Sequence, residues 1–175
     1  MKVLPFVTAG LVGLSVATGA FAAGDSSSSA SDKKCKKKGL VYDKKKKECV
    51  EAERGMFTDD FLYVNARNMA YDGHYDHAIN LLSLAANQDD PRILNYLGFS
   101  HRKAGRTDVA MTYYKRALAI DPNYNLARSY MGQGLVVDGD MDGAKEQLAE
   151  IRERGGQDSW AYVMLENAIT TRVVY

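Results

Sequence analysis

The sequence has two cysteines, three histidines, three prolines and one tryptophan among 175 residues. A closed structural zinc site takes four ligands drawn mainly from thiolates and imidazoles, and this chain offers no such set. His74 and His77 form an H-x-x-H beside Asp72 and Asp76 in a predicted turn, and His101 falls on a core-type helical position. No metal is expected. The sequence also lacks a G-x-S-x-G elbow and a plausible Ser/His/Asp set. No glycine-rich phosphate loop precedes a helix. Its carboxylates scatter over helix faces that the pattern predicts to be solvated. Neither an enzyme nor a cofactor is expected. Past Gly55 period-two alternation is missing and prolines are few, which excludes a sheet and points to helices.

One long apolar run is present. Residues Val3 to Phe21 follow Lys2 and end in Ala20-Phe21-Ala22, ahead of Gly, Asp and serines. A short basic start, an apolar stretch and a small-x-small site make residues 1–22 an expected signal peptide. No later segment is long and apolar enough to span a membrane. The mature protein is therefore expected to be periplasmic or secreted, with no transmembrane segment once the signal is removed. The net charge of +1 hides a division. Residues 24–54 carry ten basic and six acidic side chains, and residues 55–175 carry twelve and sixteen. A basic tail before an acidic body, in an exported protein, argues against a nucleic-acid partner.

Residues 23–54 form an expected flexible Lys-rich segment, opening with a serine-rich linker from Gly24 to Ser31. Seven lysines lie between Cys35 and Cys49: Lys36, Lys37, Lys38, Lys44, Lys45, Lys46 and Lys47. Two cysteines in an exported protein most simply pair with each other. Leu40, Val41 and Tyr42 favour a strand and Asp43 a turn, so a small disulfide-closed hairpin is expected. Its lysines are candidates for an anionic surface: lipid headgroups, lipopolysaccharide or peptidoglycan. The plainer expectation is a solvated spacer.

Beyond residue 55 three segments share G-x-x-D-x-A: Gly73 to Ala78, Gly105 to Ala110 and Gly139 to Ala144, at offsets of 32 and 34 residues. A glycine can take the left-handed conformation that ends one helix. An aspartate in the first turn of the next helix meets the unpaired N–H groups there. An alanine lets two helices approach closely. Each unit thus reads as helix, tight turn, helix.

These units resemble the tetratricopeptide repeat (TPR). In residues 91–124 Leu94, Leu97, Gly98, His101, Ala110, Tyr114, Ala117 and Pro122 fall on the eight signature positions, with His101 for the usual Tyr and Leu94 for the usual Trp. Residues 125–158 carry Met131, Gly132, Leu135, Ala144 and Leu148, with Ile151 in place of alanine and Gly156 in place of proline. Residues 59–90 give a shortened first repeat with Leu62, Ala66, Met69, Ala78, Leu82 and Ala85. Residues 159–175 read as a capping helix and tail, with Asp158 or Ser159 as cap and Trp160, Val163, Met164 and Ile169 toward the array. The expected fold is all-α: a right-handed TPR solenoid of three helix-turn-helix repeats over 55–158 and a C-terminal capping helix, preceded by the signal peptide and the hairpin.

The resemblance implies a function as well. Its concave face would hold a segment of another protein, with Tyr63, Arg67, Arg92, Asn95, Phe99, Arg102 and Gln133 as candidate peptide-binding residues. Tyr63 and Phe99 would be apolar anchors. The arginines would pair with acidic groups, and Asn95 would bond a peptide backbone. The expectation is a non-enzymatic scaffold for a protein or peptide partner in the bacterial cell envelope. The alternative is an envelope-surface ligand acting through the lysine hairpin. A third is self-association through Trp160 and the apolar tail Val173-Val174-Tyr175.

Overall fold

The computed structural model describes Cys35, Lys37 and residues 39–175; the expected signal peptide, the serine-rich linker, Lys36 and Lys38 lie outside the described residues. A hairpin of β1 (Val41–Asp43) and β2 (Glu48–Val50) precedes seven helices among the described residues. These are α1 (Asp59–Tyr71), α2 (Tyr75–Leu82), α3 (Pro91–Lys103), α4 (Thr107–Ile120), α5 (Asn125–Asp138), α6 (Met141–Glu153) and α7 (Trp160–Thr171). They pack as successive antiparallel pairs, α1/α2, α3/α4 and α5/α6, with α7 against the last pair.

The repeated hexapeptide explains the joints. Gly73, Gly105 and Gly139 have φ of 83°, 80° and 83°, the left-handed region that suits glycine, and each ends the first helix of its pair. Asp76, Asp108 and Asp142 sit in the first turn of the second helix, where backbone N–H groups lack helical partners. Ala78, Ala110 and Ala144 are fully buried between helices. Other starts are capped by side chains: Thr58 accepts from Phe61 N, Asp90 from Arg92 N and Ser159 from Tyr162 N. Pro91 occupies the first turn of α3, where its missing N–H costs nothing.

One apolar cluster runs through the first two pairs and into the third, joining Leu62, Ala66, Leu82, Ile93, Leu97, Tyr114 and Tyr130. The helix α7 closes the far end through Ala161, Tyr162, Leu165 and Ala168, which are buried, while Trp160 and Val163 are exposed. Of the residues expected to face the array, Ile169 packs against it and Trp160 meets the Tyr130 ring at 6.3 Å, while Val163 points to solvent and Leu165 takes the central place. The reason is Gly132: its bare backbone receives the Leu165 side chain, so Leu165 is the residue driven into α5.

The hairpin is seated on the first pair. Val41 is buried, and Val50 and Ala52 pack against the cluster that holds Leu62. Its register pairs Val41 with Val50 and Tyr42 with Cys49. Asp43 Oδ1 accepts from Lys45 N at 2.7 Å and Lys46 N at 3.2 Å, which fixes the turn. Gly39, at φ 83°, lies against the His77 ring: a Cβ there would stand 2.6 Å from Nδ1. The Cys35 and Cys49 sulfurs lie at bonding distance, with Cα atoms 5.8 Å apart. Arginine–aspartate pairs stitch neighbouring pairs together on the surface: Arg92–Asp60 at 2.8 Å, Arg106–Asp76 at 2.8 Å and Arg116–Asp89 at 2.7 Å. Exposed pairs of this kind add only a few tenths of a kcal/mol each, roughly, so packing carries the fold.

Candidate functional site

The first helices of the pairs, α1, α3 and α5, stand side by side, with α7 next in the row. Their shared face carries all seven candidate peptide-binding residues, but in two unlike environments.

At the α1 end the side chains are accessible. Tyr63 is half-buried; its ring meets Tyr96 edge-on at 5.5 Å and lies under the Arg92 guanidinium at 5.1 Å. Arg67 stands 5.9 Å from the same ring, and its Nε is buried without a hydrogen-bond partner. Arg92 is exposed but engaged, with ion pairs to Asp60 and to Asp90. Its hydrogen bonds hold the Asp90 carboxyl below its ordinary pKa.

Toward α5 the face is buried. Asn95 donates through Nδ2 to Tyr124 Oη at 3.4 Å, and its Oδ1 has no partner. Phe99 sits in an aromatic cluster, 4.9 Å from Tyr130 and 5.8 Å from Tyr71. Arg102 is only 6% exposed and lies over the Phe99 and Tyr130 rings at 5.7 and 6.0 Å. Gln133 is wholly buried.

What covers this half is the protein's own tail. After α7, Arg172 takes a left-handed conformation, φ 63°, and reverses the backbone, with Thr171 Oγ1 accepting from Val173 N. Tyr175 then lies on the face. Its N–H donates to Gln133 Oε1 at 2.9 Å, and its carbonyl accepts from Arg102 Nη2 at 2.8 Å. Its ring meets Trp160 at 5.6 Å, Tyr71 at 6.1 Å and Phe99 at 6.4 Å. Val174 packs against the cluster of Val136, Ala144 and Ala168. Beside Tyr175 opens a pocket of about 240 Å³ lined by Ala70, Tyr71, Tyr75, Phe99, Lys103 and the tail. Trp160 and the tail, the residues named for self-association, therefore contact one another within a single molecule.

Residue-by-residue reasoning missed Tyr71, Tyr96 and Tyr130. Their hydroxyls form a relay, Tyr71 to Tyr96 at 2.5 Å and Tyr71 to Tyr130 at 3.3 Å. Burial, then the Tyr71 hydroxyl, push the Tyr96 and Tyr130 phenols far above their ordinary range, so they stay protonated donors. A signal existed: Tyr96 and Tyr130 are 34 residues apart, the same position in consecutive units. No group of three or more His, Cys, Asp or Glu that could hold a metal occurs among the described residues. No described helix is long and apolar enough to cross a membrane.

The tetratricopeptide repeat family matches at residues 91–124. Solved structures share the fold. The Yersinia enterocolitica type III secretion chaperone SycD, in complex with a peptide of the translocator YopD, is 20% identical with a TM-score of 0.55, over 67% of this protein and 92% of SycD. PcrH, in complex with the chaperone-binding region of PopD, is 24% identical with a TM-score of 0.56, over 68% and 97%. The Sgt2 TPR domain from Aspergillus fumigatus is 23% identical with a TM-score of 0.56, over 69% and 84%. The protein therefore has the tetratricopeptide-repeat fold.

Proposed function

We propose that this protein of TPR fold is a non-catalytic scaffold that holds an extended segment of another protein along the faces of α1, α3 and α5, in the bacterial cell envelope. One observation carries the reading. Two buried side chains, Gln133 and Arg102, already bond the main-chain N–H and oxygen of a residue, Tyr175, laid on that face. Backbone recognition beside aromatic anchors is how a groove accepts a peptide. The likeness of fold to SycD and PcrH, each solved with a segment of its partner, supports it. The envelope location rests on the expected signal peptide of residues 1–22, and the oxidised state of Cys35 and Cys49 follows from that location.

Capture from envelope extract tests the reading. The protein should retain a partner that is lost on Arg102→Glu and kept when Lys44, Lys45, Lys46 and Lys47 are changed to Gln. The reverse pattern refutes it. Mass spectrometry of the exported protein should find an N-terminus at residue 23.

A second reading has one observation in its favour. The lysines Lys44, Lys45, Lys46 and Lys47 all stand exposed at the hairpin tip while its apolar base is docked. A rigidly presented cluster of four charges suits an anionic surface. Co-sedimentation with phosphatidylglycerol vesicles, steeply salt-dependent and absent with phosphatidylcholine, would favour it.

A further inference from the structure

We propose that the protein carries its own competitor: residues 173–175 occupy the segment-binding groove, and a partner enters by displacing them with a longer extended segment of the same pattern, β-branched residues followed by an aromatic one. The inference rests on the groove reading above and goes further, naming the occupant and the chemistry that replaces it.

Four features of the tail fit a displaceable occupant rather than a structural plug. Its backbone is held by side chains, Gln133 and Arg102, and not by a sheet or helix of the fold. Its seat is shallow: Val173 remains 72% exposed and Tyr175 43% exposed, over a floor of buried Phe99, Arg102 and Gln133 flanked by the exposed rings of Tyr71 and Trp160. Its entry runs through Arg172, a non-glycine residue in the left-handed region, which stores local strain. And it fills only part of the face. The pocket beside Tyr175 is open, and Arg67 Nε, Asn95 Oδ1 and Arg102 Nε are buried without partners. Buried polar atoms without partners cost free energy. A partner's segment would extend into the pocket.

The tail also states what the groove selects. A backbone N–H faces Gln133 and a backbone carbonyl faces Arg102. An aromatic ring enters the space between Tyr71, Phe99 and Trp160, and the preceding side chain meets the apolar cluster of Val136, Ala144 and Ala168.

The probe is a fluorescein-labelled peptide, Ile-Thr-Thr-Arg-Val-Val-Tyr, used both as free acid and as amide. The proteins are wild type, the tail-released variant Val174→Asp/Tyr175→Ala, and that variant with Gln133→Ala. The peptide is expected to bind the released variant ~10-fold more tightly than wild type, the factor set by a groove open about a tenth of the time. Gln133→Ala should erase the gain. Equal binding to wild type and released variant, binding to neither, or a gain that survives Gln133→Ala would overturn the proposal. A second measurement needs no substitution. Amide exchange at Tyr175 in wild type should be protected, and excess peptide should remove the protection; protection that persists while the peptide is bound also overturns it. Failure here leaves the partner-capture result with Arg102→Glu standing, so the two readings fail separately.

Discussion

Gly98 offers the sharpest test of how the helix pairs are held. It lies in the interior of α3, where glycine is a poor helix former. Replacing it with alanine should by itself stabilise the helix by about 0.8–1 kcal/mol. The structure opposes this. A Cβ on Gly98 would stand 2.6 Å from Cε1 and 2.8 Å from Cδ1 of Tyr114. The Tyr114 ring cannot yield: it is fully buried between α3 and α4, and burial pushes its phenol up to about 12. Forcing a methyl group into such a contact costs roughly 1–3 kcal/mol, and more where the backbone must part. Because the ring cannot yield, the cost falls in the upper half of that range, about 2–3 kcal/mol, and the two terms leave a net loss of about 1–2 kcal/mol, a fall in Tm of several degrees for a domain of this size, roughly 2–4 °C per kcal/mol. Gly134 is the control. It is another interior helical glycine, and a Cβ there would stand 2.5 Å from Met111 Cε, the free end of a flexible side chain. Methionine yields cheaply, so Gly134→Ala should be neutral or raise Tm. Thermal melts followed by circular dichroism decide the matter. A Gly98→Ala protein that melts at or above wild type would show that the α3/α4 contact is not set by that glycine.

Three further outcomes are expected. Arg172→Gly should stabilise the tail's reversal by about 1 kcal/mol, since glycine takes the left-handed conformation without the side-chain penalty, and Arg172→Val should do the opposite; amide exchange at Val173 and Tyr175 reports both. Burial, and then Arg106, lower the pKa of His101 below its ordinary value; the unfolded protein then binds the proton first as pH falls, so stability is full above about pH 6.5 and declines below it. His101→Gln should flatten that decline in urea titrations between pH 7 and 5. If Cys35 and Cys49 are joined, reducing the bond across a sequence separation of 14 should cost the hairpin up to ~3 kcal/mol and speed tryptic cleavage at the already exposed Lys44 to Lys47.

The parts of the molecule legible in the sequence are those set by close neighbours along it. Gly73, Gly105 and Gly139 announced the turns because left-handed backbone selects glycine whatever surrounds it. Ala78, Ala110 and Ala144 announced the helix approaches because nothing larger fits. In a solenoid each unit touches the next, so a period of about 34 residues fixes most contacts. The inward face of α7 was less legible. No following repeat sets its register, and the choice of Leu165 over Trp160 depends on the space above Gly132 in another helix. The hairpin's docking was hidden for a similar reason. Val41 looks like any strand valine until the first pair offers it a buried seat.

The candidate site was legible in position and not in state. The resemblance to the tetratricopeptide repeat pointed to Asn95, Phe99, Arg102 and Gln133 as lining one face. Their burial depends on contacts that no period predicts: the Gln133 and Arg102 bonds to Tyr175 span 42 and 73 residues. A tail of three apolar residues carries no periodic signal, yet it meets the face of the array where polar side chains point inward and rings line up. The same features that make the face fit to take a foreign segment make it attractive to any tethered one. Occupation by the tail is therefore evidence about the chemistry of this face: Gln133 and Arg102 meet main-chain atoms, and the rings of Phe99, Tyr71 and Trp160 meet an aromatic side chain.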